Sequence, residues 1–200
     1  MQRNVALYRC RVTTSGPRKA ETIYLCALEL LARDGYDNLT MEAVARQSGV
    51  NKTTLYRWWP SKDALLAAAL TVAAPLRLSI PDTGGFAGDL VALGLEIGRL
   101  LSSEDTSPIV RAVLSASAAR PELASVGQRF FGDRLARERV IFDRAVARGE
   151  ISAGLDPAFV IDLLAGSLWT HVVLRGETFS ESYVRTVVGV ILRGVSSPTV

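Results

Sequence analysis

The sequence contains little cysteine and almost no histidine. Its 200 residues include two cysteines, Cys10 and Cys26, and one histidine, His171. Two cysteines outside any C-x-x-C pair cannot build the disulfide framework of a small secreted domain, and they are typical of reduced thiols in the cytosol. A single histidine excludes a His-rich metal site. We therefore expect a chain that uses neither a metal nor a cofactor.

Long apolar segments are missing as well. The longest, LLAAALTVAAPL at residues 65–76, is too short to cross a bilayer. The first residues, MQRNVALYRCRVTTSG, lack the apolar stretch of a signal peptide. With 48% hydrophobic and 22% charged residues, the chain has the composition of a folded globular protein. The sequence predicts a soluble cytoplasmic protein that does not interact with a membrane.

The motifs of common enzyme classes are also absent. The sequence has no G-x-S-x-G nucleophile turn, no P-loop and no G-x-G-x-x-G dinucleotide motif. The run G-G-F-A-G at residues 84–88 falls in a predicted linker, and any Ser-His-Asp site would have to use His171. We expect that the protein is not an enzyme.

Positive charge is unevenly distributed along the chain. Residues 1–75 contain ten Lys and Arg against six Asp and Glu, whereas residues 76–200 contain thirteen against fourteen. A basic first third on a near-neutral remainder is typical of a polyanion-binding head on a different kind of body. A difference of this size is equally compatible with chance, so charge alone does not decide the function.

What the chain does contain is helical periodicity from residue 18 onward. In the first third, apolar residues follow one helical face, and suitable residues stand at each helix end. Thr40, Asn51 and Ser61 are good N-caps, while Gly35 and Gly49 can adopt the positive φ that ends a helix. Residues 1–17 lack periodicity and are predicted to form a flexible basic arm.

The second part of the chain is also predicted to be helical. Residues 75–85, PLRLSIPDTGG, contain two prolines and two glycines and are predicted to be a linker. No β-branched run with a period of two indicates a strand. The fold class is therefore all-α, with one domain at residues 18–75 and a larger one at residues 76–200. The predicted helices of the larger domain are residues 86–103, 107–119, 121–149, 156–175 and 180–195.

Residues 40–60 have the spacing of a helix-turn-helix. Two short helices that cross steeply need a small residue where their backbones approach, a tight turn, and an apolar anchor that faces the core. Ala45, Gly49 and Leu55 supply these three features in order. Any tight helical hairpin can share this spacing, so the outward face of the second helix is needed to interpret it.

That outward face consists of hydrogen-bond donors and has no acidic residue between Asn51 and Arg57. A helix N-terminus that carries lysine and threonine suits phosphates and base edges. Lys52 or Arg57 can address guanine O6 and N7, and a threonine methyl can contact a thymine methyl. Tyr56 and Lys62 are better placed for backbone phosphates. The alternative is an ordinary solvated helix. The donors of the face are Lys52, Thr53, Thr54, Tyr56 and Arg57.

Residues 18–70 resemble the DNA-binding domain of the tetracycline-repressor-like (TetR) family of transcriptional regulators. The resemblance rests on the Gly35-Tyr36 turn, Leu39-Thr40, Val44-Ala45, Gly49-Val50, Leu55-Tyr56 and the closing run WPSKDAL at residues 59–65. It implies a three-helix N-terminal domain and a larger all-helical C-terminal domain that binds an effector and dimerises. It also implies a homodimer that binds a palindromic operator.

The resemblance assigns residues to DNA. It implies that Thr40 and Trp58 contact phosphate, that Lys52, Thr53 and Thr54 lie toward base edges, and that Tyr56 and Lys62 contact the backbone. Trp58 departs from the His or Tyr that most members have there, although its indole keeps one N–H donor. Trp59 takes a position usually filled by Phe, and we expect it in the core, whereas Trp58 should be partly exposed.

In the larger domain, the resemblance implies a dimer interface on the last two helices and an effector pocket between the middle ones. Apolar residues crowd the last helix, which indicates either a subunit interface or burial within one subunit. For the aromatic residues of the pocket, plain core packing is the alternative. The candidate pocket residues are Phe130, Phe131, Arg134, Phe142, Trp169 and His171.

Together the patterns and the resemblance predict a homodimeric, sequence-specific DNA-binding regulator, most simply a repressor released by a small effector. A small-molecule-binding or scaffolding helical protein that has lost DNA binding is the alternative. The basic, acid-free face of the recognition helix favours the regulator, because a DNA-binding helix must face phosphates.

Overall fold

The computed structural model describes residues 19–119 and 121–196, with the side chains of residues 117–119, 121–123, 126, 129, 130, 195 and 196 excepted. The predicted arm at residues 1–17 and the thiol of Cys10 lie outside this range. The other cysteine, Cys26, is a buried free thiol.

The described chain is all-α, which confirms the predicted fold class, and no strand occurs in it. Four helices form the N-terminal part and five follow in the C-terminal part, and most predicted bounds agree with the structure to within a few residues. The helices are α1 (Ala20–Asn38), α2 (Met41–Ser48), α3 (Lys52–Trp58), α4 (Lys62–Val72), α5 (Phe86–Ser102), α6 (Ser107–Ala119), α7 (Pro121–Ala147), α8 (Pro157–Leu168) and α9 (Glu181–Ser196).

The three predicted N-caps are confirmed. The Oγ1 of Thr40 accepts the amide of Ala43 at 3.1 Å, and the Oδ1 of Asn51 accepts the amide of Thr53 at 2.8 Å. The hydroxyl of Ser61 accepts an amide of α4 in the same way. Each bond satisfies one of the amides that a helix start leaves without an internal partner. Gly49 ends α2 with φ 64° and ψ 35°, the left-handed conformation that glycine adopts without steric cost.

Gly35 behaves differently from the prediction that it would end α1. Its φ is 75° but its ψ is 169°, so the chain bends there and then completes one more turn up to Asn38. The amide of Leu39 donates to the carbonyl of Gly35 at 3.2 Å and closes this turn. The extra turn matters for the site, because it places the carbonyls of Tyr36 and Leu39 opposite the start of α4.

Two hydrophobic clusters form the core. The first joins α1 to α4, with Leu28 and Leu55 among its fully buried residues, and it also includes Ile109 and Ala116 of α6. The second joins α5, α7, α8 and α9 around residues such as Leu93. We call helices α1 to α4 the head and helices α5 and α7 to α9 the body. Helix α6 packs on α1 and connects the body to the head. The domain limits at residues 75 and 76 stay a prediction.

The predicted linker is bound along α5. After a short 3-10 turn at Ala74–Leu76, two acidic side chains of α5 accept its amides. The Ser79 amide donates to Glu96 at 2.7 Å, and the Thr83 amide donates to Asp89 at 2.7 Å. The buried carboxylate of Asp89 also lies within 4 Å of Arg144 in α7 and of Arg148, the residue that follows α7. The path between head and body is therefore fixed at two points.

Helix α8 continues as a π-helical turn, Trp169–Leu174, within the predicted range of residues 156–175. Together these residues, Pro157–Leu174, are long and apolar enough to cross a membrane by length and composition alone. Here the segment packs against α5, α7 and α9. Apolar core helices of soluble proteins meet the same criterion.

Candidate nucleic-acid interface

The recognition helix α3 is only seven residues long, and two side chains hold it in place. Leu55 is fully buried, and Trp59 is buried at the C-terminal end of the helix. The rings of Trp59 and Tyr24 meet edge to face with centroids 5.4 Å apart. The expectation that Trp59 belongs to the core is confirmed. A helix too short to be stable alone is thus fixed by tertiary packing.

The opposite face of α3 is open to solvent. Lys52, Thr53 and Arg57 are exposed, and Thr54 is half-buried. Tyr56 and Trp58 each expose 41% of their surface, so the predicted partial exposure of Trp58 is confirmed. The guanidinium of Arg57 lies 6.0 Å from the centre of the Trp58 ring. This face combines cations, hydroxyls and aromatic donors, as a surface that contacts phosphates and bases requires.

Thr40 lies at the start of α2, the helix that packs against α3. Its oxygen accepts the Ala43 amide, while the hydroxyl proton is not used by that bond. A hydroxyl can accept and donate at once, so Thr40 keeps a donor for a phosphate oxygen. The N-terminus of α2 adds a favourable electrostatic field for an anion.

Lys62 points inward rather than only toward solvent. Its ammonium donates to the carbonyls of Tyr36 at 2.8 Å and Leu39 at 3.1 Å, and it lies 4.0 Å from the centre of the Tyr36 ring. The Tyr36 hydroxyl in turn donates to Asp63. Lys62 therefore closes the turn between α1 and α2. An ammonium has three N–H donors, and these two hydrogen bonds use two of them. The contact of Lys62 with a phosphate stays a prediction, and one N–H is left to make it.

An acidic residue that the sequence pattern missed also lies at this surface. Glu42, the second residue of α2, forms an ion pair with Lys52, the first residue of α3, and both side chains are about half exposed. The hydrogen bond from Lys52 lowers the pKa of Glu42, and the same contact raises the pKa of Lys52, so both groups are charged. Ten residues separate them in sequence, and only the helix-turn-helix crossing brings them together.

The candidate effector residues have different surroundings. Phe142 is buried and meets Phe86 edge to face at 5.3 Å, so it packs within the second core cluster. Phe131 is half exposed, and Trp169 is half-buried against that cluster. His171 stacks on Tyr183 with ring centroids 3.8 Å apart. The side chain of Phe130 lies outside the described residues.

Arg134, the polar candidate, forms an ion pair with Glu138 at 3.2 Å on the inner side of α7. Glu138 is almost completely buried, and burial raises its pKa, although Arg134 opposes the shift. The sequence did not single out Glu138. In the part of the chain that the structure describes, no three His, Cys, Asp or Glu side chains group as metal ligands.

An open cavity of about 350 Å³ lies at the junction of head and body. Its walls are the linker, the second half of α5 and the turn that leads into α6, and none of the five candidate effector residues with a described side chain lines it. Two arginines, Arg77 and Arg99, share it with the apolar side chains of Leu78 and Leu100.

Both parts of the chain match a known family of regulators. Residues 23–69 match the family described as bacterial regulatory proteins, tetR family, and residues 80–191 match the tetracyclin repressor-like C-terminal domain. Over 185 residues, 92% of this chain and 90% of the relative, the sequence is 35% identical to the uncharacterized HTH-type transcriptional regulator Rv1556 of Mycobacterium tuberculosis. The DNA-binding transcriptional repressor TetR of Mycobacteroides abscessus is 30% identical over 188 residues, covering 88% of this chain and 93% of that one.

The fold is similar to solved structures of such regulators. The crystal structure of the TetR family transcription regulator SCO0332 superposes with a TM-score of 0.72 at 30% sequence identity. The match covers 90% of this chain and 100% of that one. The similarity therefore extends over the helix-turn-helix and the helical body together.

Proposed function

The chain belongs to the tetR family of bacterial transcriptional regulators, and on this premise we propose that it is a cytoplasmic, homodimeric repressor of transcription that a small-molecule effector releases from DNA. The carrying observation is the recognition helix, whose buried side is anchored by Leu55 while its other side presents cations, hydroxyls and aromatic donors. The similarity to a relative named as a DNA-binding repressor supports the direction of regulation.

This geometry supports the proposed DNA contacts. We assign Lys52, Thr53 and Thr54 to base edges, because they begin the helix that would enter the major groove. Thr40, Tyr56, Arg57 and Trp58 surround them and contact phosphates, with Lys62 as a further contact through its remaining N–H. Phosphate contacts position the protein, and base contacts specify the sequence.

The proposed dimer uses α8 and α9. Each helix buries one side in the second core cluster, with Leu164 and Val188 among the buried residues. Each also leaves an apolar side exposed, with Phe159 and Leu163 on α8 and Val190 on α9. An apolar surface shared by two neighbouring helices suits a two-fold symmetric four-helix interface. A symmetric dimer would bind two half-sites separated by one turn of DNA.

The effector would bind in the body, where Arg134, in its ion pair with Glu138, or His171 would supply the polar contact. Phe130, Phe131, Phe142, Trp169 and His171 remain candidate contacts. An effector acts if it binds best to a form in which the two heads no longer fit successive major grooves. The linker, held by Glu96 and Asp89, would carry that change from body to head. Nothing in this function requires catalysis or a cofactor.

Selection of bound duplexes from a random DNA pool tests the proposal. We expect a palindrome with two half-sites, because a two-fold dimer reads both strands alike. Affinity for the selected duplex should fall steeply between low and high salt, as the release of counterions from phosphates requires. If the protein enriches no sequence, or binds with little salt dependence, the scaffolding alternative is favoured instead.

A further inference from the structure

The Glu42–Lys52 ion pair stands on the surface that the proposed function assigns to DNA. Glu42 lies two residues after Thr40, and Lys52 begins the recognition helix. The ammonium of Lys52 is also 5.6 Å from the centre of the Tyr56 ring, so the pair adjoins the exposed face of α3. Of the residues named on this face, Glu42 is the one that carries negative charge.

A carboxylate at this position is unfavourable for general DNA binding. Affinity for DNA of any sequence comes from cations that replace counterions at phosphates. While Glu42 holds Lys52, the pair contributes no net charge to that exchange, and the carboxylate itself repels phosphates. A glutamate here therefore lowers affinity for random sequence, and it needs a specific partner if operator binding is to remain strong.

One base pair offers that partner. In the major groove, guanine presents two acceptors, N7 and O6, and its cytosine presents the N4 amino donor beside them. A lysine next to a glutamate matches this order, since the ammonium donates to guanine and the carboxylate accepts from cytosine. Against an A·T pair, the same carboxylate would face the O4 acceptor of thymine, which repels it.

We propose that Glu42 is a specificity-determining residue, which together with Lys52 reads one G·C base pair in each operator half-site and weakens binding to other sequences. The inference rests on the proposed function, since it requires that α3 faces DNA. It gives Glu42 a role that the resemblance did not assign. It also makes Lys52 one half of a donor–acceptor unit rather than an independent contact.

The test compares the DNA selected by the parent and by Glu42→Ala from the same random pool. We expect the preference for G·C at one position per half-site to be weaker in the variant, where Lys52 alone still favours guanine, while the other positions are unchanged. Replacing that pair by A·T should weaken the parent about 5- to 150-fold and should weaken Glu42→Ala several-fold less than the parent. Random 30-base-pair duplexes should bind the variant several-fold more tightly, with a steeper salt dependence.

Two further variants separate the causes. Glu42→Gln keeps an acceptor without the charge, and should bind random duplex more tightly while retaining part of the G·C preference. Asp143→Asn, in the exposed Arg139–Asp143 pair of α7, makes the same change in charge away from α3, and should change neither measurement. Both acidic residues are exposed, so thermal unfolding should show that all variants remain folded.

The outcomes distinguish this inference from the proposed function. Identical sequence preferences and identical affinity for random DNA in the parent and Glu42→Ala would overturn the role of Glu42 alone. A parent that selects no sequence from the pool would overturn the proposed function, and with it this inference. A uniform change in all three variants would assign the effect to net charge, and would also contradict the inference.

Discussion

Lys52 and Lys62 are both lysines at the start of a helix, and the sequence pattern directed both toward DNA. The structure separates them, because Lys62 donates to two carbonyls of the α1–α2 turn, while Lys52 pairs with the exposed carboxylate of Glu42. Their side chains cannot be distinguished by local sequence, since the partners of Lys62 lie more than 20 residues away. Substituting each lysine should therefore change a different property of the protein.

We predict that replacing Lys62 lowers folding stability, whereas replacing Lys52 weakens DNA binding. Lys62→Ala removes charge-assisted hydrogen bonds in a half-buried turn, and should lower the free energy of unfolding by about 1–3 kcal/mol. Lys52→Ala should leave stability unchanged but weaken operator binding by about 1–3 kcal/mol. Urea denaturation and fluorescence anisotropy with the selected operator measure the two quantities. If Lys52→Ala binds as tightly as the parent, the assignment of the recognition helix is wrong.

Trp58 allows a second test at the level of one atom. Trp58→Phe keeps an aromatic ring beside Arg57 but removes the indole N–H, which is the donor assigned to a phosphate. A hydrogen bond to a charged group contributes about 1.5 kcal/mol or more, so we expect roughly tenfold weaker binding. The loss of affinity should be equal for operator and random DNA, because phosphate contacts carry no sequence information. A loss confined to the operator would instead indicate contact with a base.

At the scale of elements, Gly94 sets how closely α5 approaches α8 and α9. A Cβ built on Gly94 would lie 2.7 Å from a methyl of Val184 and 3.2 Å from a methyl of Leu164, and both neighbours are fully buried. An added methyl group would therefore displace side chains that are packed in the core. Helix α5 thus needs glycine here for packing, although glycine is a poor helix former.

Gly94→Ala should therefore lower the free energy of unfolding by about 1–3 kcal/mol, as overpacking of a core does. Gly132→Ala is the matched control in α7, because a Cβ there meets nothing within 4 Å. It should raise stability by up to about 1 kcal/mol through helix propensity alone. Urea denaturation midpoints of the two variants test the assignment, and shifts in the same direction would contradict it.

Helix α7 contains a buried carboxyl whose ionisation should oppose folding. Burial raises the pKa of Glu138 in the folded chain, so the folded state binds this proton more tightly than the unfolded state does. The resulting stabilisation is complete below the unfolded pKa of about 4.3 and is lost as pH rises through the folded pKa. A glutamine at this position does not titrate.

We therefore predict a pH-dependent difference between the parent and Glu138→Gln. The free energy of unfolding of the parent, relative to the variant, should fall as pH rises from about 4.3 toward neutrality. Urea denaturation of both proteins across that range measures the difference directly. A difference that is constant with pH would mean that Arg134 holds Glu138 at its ordinary pKa.

At the scale of the whole molecule, local and long-range signals differ in what they predict. The caps at Thr40, Asn51 and Ser61 and the glycine turn at Gly49 are short-range features, and the sequence predicted all four. The Glu42–Lys52 pair arises only from the crossing of two helices, so no periodicity indicates it. The same holds for the linker. Its composition predicted an irregular segment but not its attachment to α5.

The resemblance supplied what periodicity could not, and it did so unequally along the chain. Around α3 it named individual positions, because short spacings fix where each side chain points. In the body it implied only a pocket and an interface. The structure there shows Phe142 packed in the core and His171 stacked on Tyr183, arrangements that depend on how five helices meet. Sequence patterns within one helix do not contain that information.

The proposed dimer gives the last prediction. Val190 exposes 57% of its surface on α9, two residues after the buried Val188, whereas Val140 exposes 41% of its surface on α7. Val190→Glu places a charge in the α8–α9 surface and should convert the dimer to monomer in analytical ultracentrifugation, with a large loss of affinity for the full palindrome. Val140→Glu makes the same substitution at an exposed valine outside that surface, so it should remain dimeric and bind as the parent does. Monomers from both variants, or from neither, would place the interface elsewhere.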